Sequence, residues 1–443
     1  MPDPTTPTVH LSSHLEPDPQ ALDLSRDVTA TIPRYVRASL SPGDRRADLW
    51  WIAAACFAVD RQLKRPHGRL WRQGEEWTRK IHARIPVSDP VWWSEHAPLV
   101  SRLLDWLTAD RWRLEFVAGP QPEPFVQETL DEGLFDQGDA VALFSGGLDS
   151  VSGLIADLEE GADTFCTVSV STNDRMTALQ RRIFDRVRGH NARLREAHHF
   201  VLRVRPTPRE STARTRGLVF LTAGVVAALA RDRTCLRLYE NGPGALNLAL
   251  SQAQVGAQSA RAVHPRTLQY METLASAVHE DAFTIVNRCM GLTKARMVAR
   301  VPPRYDQALL ESVSCDTGFA HHVGHGQVGS GTGSRPAHCG GCSSCVLRRQ
   351  ALAAAGRGTG LPQRGVPKHK REHHALMGWQ VARLRHAMRD GLSWRRMVQE
   401  FPDLVCDPGS FDPARRRELL DLFRDYAREW DLPSVIEEFG VRG

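Results

Sequence analysis

The sequence predicts an α/β protein built on a doubly wound parallel sheet, with a zinc-binding subdomain, an α+β N-terminal domain and a helical C-terminal tail. Three observations predict it. Between Asp139 and Lys294 short apolar runs alternate with helical stretches, the order that gives parallel strands joined by helical crossovers. The first of those runs leads into a Ser-Gly-Gly-Leu-Asp-Ser turn and then a helix. Further on, Cys339, Cys342 and Cys345 form a C-x2-C-x2-C run with Cys315 upstream, a spacing suited to a metal.

At 443 residues the chain has room for two or three domains of about 150 residues each. Hydrophobic residues make up 42% and charged ones 24%, the balance of an ordinary globular protein. A net charge of +6 with abundant arginine is compatible with an anionic ligand but too modest to indicate nucleic-acid binding. The polar, proline-rich start does not read as a signal peptide. The longest apolar run, Leu49 to Val59, is short of the roughly 20 residues that cross a bilayer. Nine cysteines, four of them with metal-like spacing, point to a reducing, cytoplasmic setting and a metal rather than disulfides.

Residues 1–25, rich in Pro, Thr and Asp, are expected to be disordered. Residues 26–118 then read as an α+β accessory domain. Asp48 to Leu63 has the composition of a buried helix, and Trp77 to Val87 and Trp112 to Phe116 alternate like half-buried strands. Its tryptophans read as core, with a partner-docking surface as the alternative. Residues 119–138, holding three prolines and several acids, read as a linker.

The central unit, 139–356, opens with the strand Ala140 to Phe144 and a helix from Val151 to Leu158. In between, Gly146 and Gly147 permit a sharp bend and close approach to a ligand. The amides of Ser145, Gly146, Gly147, Leu148, Asp149 and Ser150 can then converge on an anion at the positive end of the helix. The hydroxyls of Ser145 and Ser150 add donors, and Asp149 can hold Mg²⁺ or orient a nucleotide. No Lys-Ser/Thr follows the glycines, so this is not a Walker A loop. Strands at Thr164–Val170, Phe200–Val204, Cys235–Tyr239 and Ala282–Val286 continue the alternation, with helices at Arg175–Gly189 and Leu218–Ala230. Ligands of such a sheet bind at the carboxyl ends of its strands.

Several residues fall where that site should lie. Of the many arginines between Gln180 and Arg216, most read as a solvated helix face, but Arg214 and Arg216 precede a helix and can meet phosphates. Glu240 and Asn241 follow a strand. Arg261 and His264 precede a helix, as substrate-reading residues or as plain surface. Lys294 follows the last strand, where it would neutralise phosphate charge.

Four thiolates around Zn²⁺ make a closed structural site, and Cys315 completes such a set. His338, His321 or His322 are the alternatives for the fourth ligand, and an iron–sulfur cluster is the alternative metal. Gly324, Gly326 and Gly329 spell GxGxxG, but no strand precedes and no helix follows, so they read as a flexible insertion. Residues 366–443 read as a helical extension. Asp412-Pro413 is a helix start, and Leu419, Phe423, Tyr426 and Trp430 share one face of the helix it opens.

The SGGLDS loop after a strand, the later GLTK and Cys315 with CxxCxxC resemble the N-type ATP pyrophosphatases, specifically the QueC (7-cyano-7-deazaguanine synthase) family, over roughly residues 139–356. The N-terminal domain, the ENG and SARAVHP segments and the helical tail are most similar to the QueC-like proteins of bacterial antiphage systems, among them the QatC proteins of the Qat system and those of type IV CBASS. The resemblance implies an adenine nucleotide alpha hydrolase-like (PP-loop) fold, with ATP, Mg²⁺ and Zn²⁺ as cofactors. It implies adenylation of a carboxylate, such as a 7-deazaguanine acid, for attack by ammonia or an amine, with Asp149, Ser150 and Lys294 as catalytic residues. Partner proteins of a defence operon, one of which can supply the amine, are part of the same expectation. The TARTRG segment is similar to the family's xRN, with Gly217 in place of the asparagine, and Arg296 stands where the family's TKxE has Glu. A synthase serving queuosine or DNA modification, and a nucleotide-binding zinc subunit without turnover, are the alternatives. Direct nucleic-acid binding is not expected, because no aromatic stacking platform accompanies the basic residues.

Overall fold

The computed structural model describes residues 8–13, 16–41, 43–65, 78–120, 139–205, 207–210, 214–254, 261–315, 338–358, 372–389, 391 and 393–439. Its strands, numbered along the chain, are β1 Thr8–Ser13, β2 Glu16–Asp23, β3 Val28–Thr31, β4 Lys80–Val87, β5 Arg111–Ala118, β6 Ala140–Leu143, β7 Phe165–Ser171, β8 Leu194–Val204, β9 Cys235–Leu238 and β10 Thr284–Asn287. They form one sheet in the order β2-β1-β4-β5 and a six-stranded sheet in the order β10-β9-β6-β7-β8-β3.

In the six-stranded sheet β6 to β10 are parallel and β3 lies antiparallel on β8. The chain steps outward from β6 to β7 and β8, then returns past β6 to β9 and β10. β6 and β9 are therefore neighbours whose connections leave in opposite directions, and sheets of this kind bind ligands at the carboxyl ends of such a pair. Both faces of the sheet are covered. Val141 and Leu143 point into one core, with the helices Arg45–Gln62, Arg216–Leu229 and Pro265–His279; Ala142 and Phe144 point into another, with Leu148–Glu160, Asp174–Arg188 and Lys294–Ala299. This is the period of two that a strand buried on both sides must show. The α/β architecture and its helix-covered parallel strands are as the alternation predicted.

Two expectations about the N-terminal region do not hold. Most of residues 1–25 is ordered: β1 and β2 form an antiparallel hairpin, and β1 also pairs with β4. Val9 and Leu11, with Leu22 and Leu24, are buried; their alternation was masked by the surrounding Pro, Asp and Thr. Residues 1–7, 14 and 15 lie outside the described residues. Nor do residues 26–118 keep a core of their own. β3 extends the large sheet, and the helix Arg45–Gln62 is buried along almost its whole length in the shared core. Trp50 there packs on Phe200 of β8, ring centroids 4.9 Å apart, and burial of such a side chain contributes about 2–3 kcal/mol. Trp50, Trp51, Trp93 and Trp112 are core residues, as expected.

A helix not assigned from the sequence, Pro90–Thr108, joins the parallel strands β4 and β5, its first turn capped by Asp89, which accepts from the Trp92 amide at 3.1 Å. Beneath it, Arg79 is fully buried and donates to Asp60 at 2.5 Å and Asp110 at 2.7 Å, while Arg65 pairs with Asp110. Asp60 in turn accepts from the amide and hydroxyl of Thr215 at 3.1 and 3.0 Å. The N-terminal region thereby fixes the start of the helix that begins at Arg216. Breaking such a network by removing one partner leaves an uncompensated buried charge, at a cost of about 3–5 kcal/mol.

Of the linker, residues 121–138 lie outside the described residues, as do 359–371 ahead of the tail. The tail is helical as expected. Asp412 caps the helix Pro413–Glu429 by accepting from the Ala414 amide at 2.7 Å, and Leu419, Leu422, Phe423 and Tyr426 pack with Leu246 and Leu248 from the segment after β9. Among the described residues no helix is long and apolar enough to cross a membrane.

Candidate functional site

The turn after β6 is held by its own side chains. Gly146 has φ +77°, a conformation that costs any residue with a Cβ. Gly147 then caps the helix Leu148–Glu160. Ser145 Oγ accepts from the Gly147 amide at 3.2 Å and lies 3.0 Å from Ser150 Oγ, which itself donates to the Gly147 carbonyl at 3.0 Å. The Leu148 amide donates to Ser314 Oγ at 3.0 Å. The loop has the strand-to-helix geometry expected of it, but its six amides do not all converge outward: those of Gly147 and Leu148 are engaged within the protein.

The segments after β9 and β10 bring polar side chains to Asp149 in this turn. Asp149, 7% exposed, receives Lys294 Nζ on Oδ1 at 2.5 Å and Asn241 Nδ2 on Oδ2 at 2.7 Å. Asn241 Nδ2 also donates to Glu240 Oε1 at 2.9 Å. Asp149 follows β6, Glu240 and Asn241 follow β9, and Lys294 follows β10, so the topology assembles the cluster at the carboxyl ends. Burial pushes the Asp149 carboxyl up, but the Lys294 charge and the hydrogen bonds from Glu240, Lys294 and Asn241 outweigh it and leave Asp149 below the ordinary carboxylate range. Burial first, and then the Asp149 charge, drive Glu240 well above it. Two carboxyls this close settle as one anion and one acid. Lys294 was expected to face phosphate; in this structure it faces Asp149.

Arg216, the first residue of its helix, is exposed. It touches Met176 Sδ at 3.9 Å and lies over the Phe220 ring at 5.1 Å, and among the described residues no carboxylate pairs with it. Arg214 turns the other way, donating to the Thr108 carbonyl at 3.3 Å. Arg261 and His264 do not join the cluster. Arg261 donates to the Trp106 carbonyl at 3.0 Å with its guanidinium 4.0 Å over the Trp106 ring. His264 Nδ1 accepts from the Arg266 amide at 3.1 Å as the cap of Pro265–His279, and burial pushes its pKa down to about 3. Both are occupied in packing that sequence reasoning did not foresee.

Gln180 is one residue at this turn that sequence reasoning missed. Fully buried, its Nε2 donates to the carbonyls of Ser145 at 3.4 Å and Val170 at 3.2 Å, so it ties the turn to the end of β7. A signal existed: Gln180 sits on the same buried face as Met176, Leu179, Ile183 and Phe184, where a polar residue needs a partner.

Gly217 and Arg296 are each committed to a neighbour. A Cβ on Gly217 would lie 2.6 Å from the Ala262 Cβ and 2.7 Å from its Cα, so no asparagine fits there. Arg296 pairs with Asp425 of the tail at 2.8 Å. The tail also crowds the site loops at Gly242, where a Cβ would lie 2.3 Å from Leu422 Cδ2. Thr293, which caps the helix of Lys294, donates to buried Glu429. A cavity of about 450 Å³ bordered by Arg45, Leu229 and Glu280 lies at the opposite, amino ends of the strands and holds none of these residues.

Cys315, Cys339, Cys342 and Cys345 meet as predicted, their sulfurs all within 4.8 Å of one another. Cys339 to Cys345 and Cys315 to Cys342 are both 4.0 Å apart, near the ~3.8 Å edge of a tetrahedron with Zn–S bonds of about 2.3 Å. The amides of Cys339 and Cys342 donate to Cys315 and Cys339 sulfurs at 3.3 Å, as thiolates require. The donor set fits zinc, closed and structural. His338 is not the fourth ligand: its Nε2 accepts from the Ser314 amide at 3.4 Å. His321, His322 and the GxGxxG glycines lie outside the described residues. None of the nine cysteines, all of them among the described residues, forms a disulfide. No protein-family model matches the chain, and no curated protein matches it.

Proposed function

We propose that this chain is a QueC-like ATP-dependent ligase of the PP-loop fold, which adenylates a carboxylate, such as a 7-deazaguanine acid, for attack by ammonia or an amine. The observation that carries the reading is the meeting of Asp149, Lys294, Asn241 and Glu240 beside a glycine turn at a helix start, at the β6/β9 switch point. In the reaction a carboxylate oxygen bonds to the α-phosphorus of ATP and the α–β bridging bond breaks, releasing pyrophosphate. The amine nitrogen then bonds to the acyl carbon, AMP leaves, and the surplus proton passes to a base. Lys294 and Arg216 neutralise the phosphates, the helix start accepts the departing pyrophosphate, and Asn241 orients Asp149. Mg²⁺ would be held by Asp149, with Glu240 beside it, and would supply charge neutralisation on the phosphates.

The defence setting, a cytoplasmic location and partner proteins of a defence operon follow from the resemblance to QueC-like antiphage proteins. Ala262 packed against Gly217, and Arg296 committed to the tail, favour that branch over a deazaguanine nitrile synthase. The test is pyrophosphate and AMP release from Mg-ATP with 7-carboxy-7-deazaguanine, with and without ammonia, in wild type and Asp149→Ala. Substrate-dependent release lost in the variant supports the ligase, and a nitrile product would reassign it as a synthase. ATP binding without turnover, with ammonia or with candidate partner proteins added, would sink catalysis in favour of a nucleotide-binding zinc subunit.

A further inference from the structure

The segment between the helix Asp306–Glu311 and the first cysteine of the cluster runs along the turn after β6. The Val313 amide donates to the Gly146 carbonyl at 3.1 Å, and Ser314 Oγ accepts from the Leu148 amide at 3.0 Å. One residue later comes Cys315, whose sulfur accepts from the Cys339 amide. The Ser314 amide is itself held, by His338 Nε2 at 3.4 Å. From the other side fully buried Arg348, on the helix that begins beside Cys342, donates to Ser312 Oγ and the Leu309 carbonyl, both at 2.7 Å. Ser312 is also tied back to the preceding helix, its amide donating to the Ala308 carbonyl at 3.1 Å and its hydroxyl to the Leu309 carbonyl at 2.6 Å. Beyond it, Val313 and Ser314 are fixed by the turn and by His338, which precedes the ligand Cys339.

Leu148 is the first residue of its helix, and its amide has no partner within the helix. Ser314 supplies that partner, which sets the angle of the first turn and hence where the amides of Asp149 and Ser150 point. A hydroxyl that accepts one hydrogen bond keeps its proton to donate. Four sulfurs as close as these repel one another as thiolates unless a divalent cation joins them, so the place of Cys315, and of Ser314 beside it, depends on the metal.

We propose that Ser314 is a positioning residue for the Ser145–Ser150 turn, set in place by the metal-loaded cysteine cluster, so that zinc occupancy governs nucleotide affinity. This rests on reading the turn as a phosphate loop. One hydrogen bond at about 0.5–1.5 kcal/mol corresponds to an effect of about two- to tenfold.

The experiment uses the zinc-loaded full chain as wild type, Ser314→Ala and Ser314→Thr, and wild type and Ser314→Ala after zinc removal. It reads zinc content, Mg-ATP dissociation constant by calorimetry, and amide exchange of the peptides spanning residues 145–151. Ser314→Ala should keep its zinc, melt no more than about one or two degrees lower, bind Mg-ATP about two- to tenfold more weakly and exchange faster in that peptide, with Ser314→Thr restoring affinity and exchange. Zinc removal from wild type should do the same, and removal from Ser314→Ala should add little, because the two perturbations act through one contact. Unchanged affinity and exchange in Ser314→Ala, fully additive losses, or a chain-wide rise in exchange on zinc removal would each overturn the coupling. If zinc-loaded wild type binds no Mg-ATP, the phosphate-loop reading fails, and local exchange alone decides the part played by Ser314.

Discussion

Replacing Gly217 by alanine probes the close contact between the start of the helix Arg216–Leu229 and Ala262. The new Cβ would meet Ala262 Cβ at 2.6 Å and its Cα at 2.7 Å, closer than side-chain atoms approach, and one of the two is backbone. Overpacking of this kind costs about 1–3 kcal/mol. Gly to Ala inside a helix returns up to about 1 kcal/mol, less here because Gly217 is in the first turn. The net loss is about 1–2 kcal/mol, or a fall of roughly 1–2 °C in melting temperature, taking about 2.1 cal/mol/K of unfolding entropy per residue over 443 residues. Adding Ala262→Gly relieves the Cβ contact and leaves the Cα one, so the double variant should recover part of the loss. Because Arg216 is the neighbouring residue, Mg-ATP affinity should fall with Gly217→Ala and return in parallel with stability. Differential scanning calorimetry and ATP titration on the three variants measure both. A Gly217→Ala protein as stable as wild type, or a double variant with no recovery, would refute the steric argument.

Lys294→Ala removes the cation that holds Asp149 ionised, and should lower substrate-dependent pyrophosphate release by about 10²–10³, the scale for one preorganised electrostatic contact; a loss under threefold would remove Lys294 from the site. Asp149 is depressed in the folded state, so its contribution to stability is present above its unfolded pKa and lost as pH falls; Lys294→Ala should show less of that loss in acid melts. Glu429 behaves with the opposite sign. Burial raises it from 4.5 to about 7 against the hydrogen bonds from Thr293 and Gln350, which at about 1.4 kcal/mol per unit is on the order of 3 kcal/mol. That stability is full below about pH 4.5 and lost as pH rises through 7. Glu429→Gln should therefore match wild type near pH 5 and melt higher at pH 8.5, and equal pH slopes would count against a buried acid there.

The Glu429 and Arg296 contacts also say what the tail does. It presses on the loops after β9 and β10 through Leu422 at Gly242, Glu429 at Thr293 and Asp425 at Arg296. The exposed Arg296–Asp425 pair contributes little, about 0–1 kcal/mol; the apolar face of Pro413–Glu429 with Leu246 and Leu248 holds the tail in place.

Features that depend on neighbours in sequence were legible from the residues alone. The strand-turn-helix at Ala140–Leu158, the alternation to Lys294, the C-x2-C-x2-C run and the Asp412-Pro413 helix start are short-range patterns, and each lies where its pattern placed it. Even Lys294 and Asn241 were found, because the carboxyl ends of parallel strands must converge whatever the packing. Contacts that depend on partners far along the chain were not legible. Asp149 and Lys294 are 145 positions apart, and nothing local says that they pair rather than wait for phosphate. Arg261 and His264 looked open until Trp106 covered them, Gly217 looked like a lost contact until Ala262 filled its space, and Ser314 carried no signal at all. The first set is fixed by backbone geometry and side-chain periodicity; the second is fixed by which surfaces exclude water together, a property of the assembled core that no window of sequence contains.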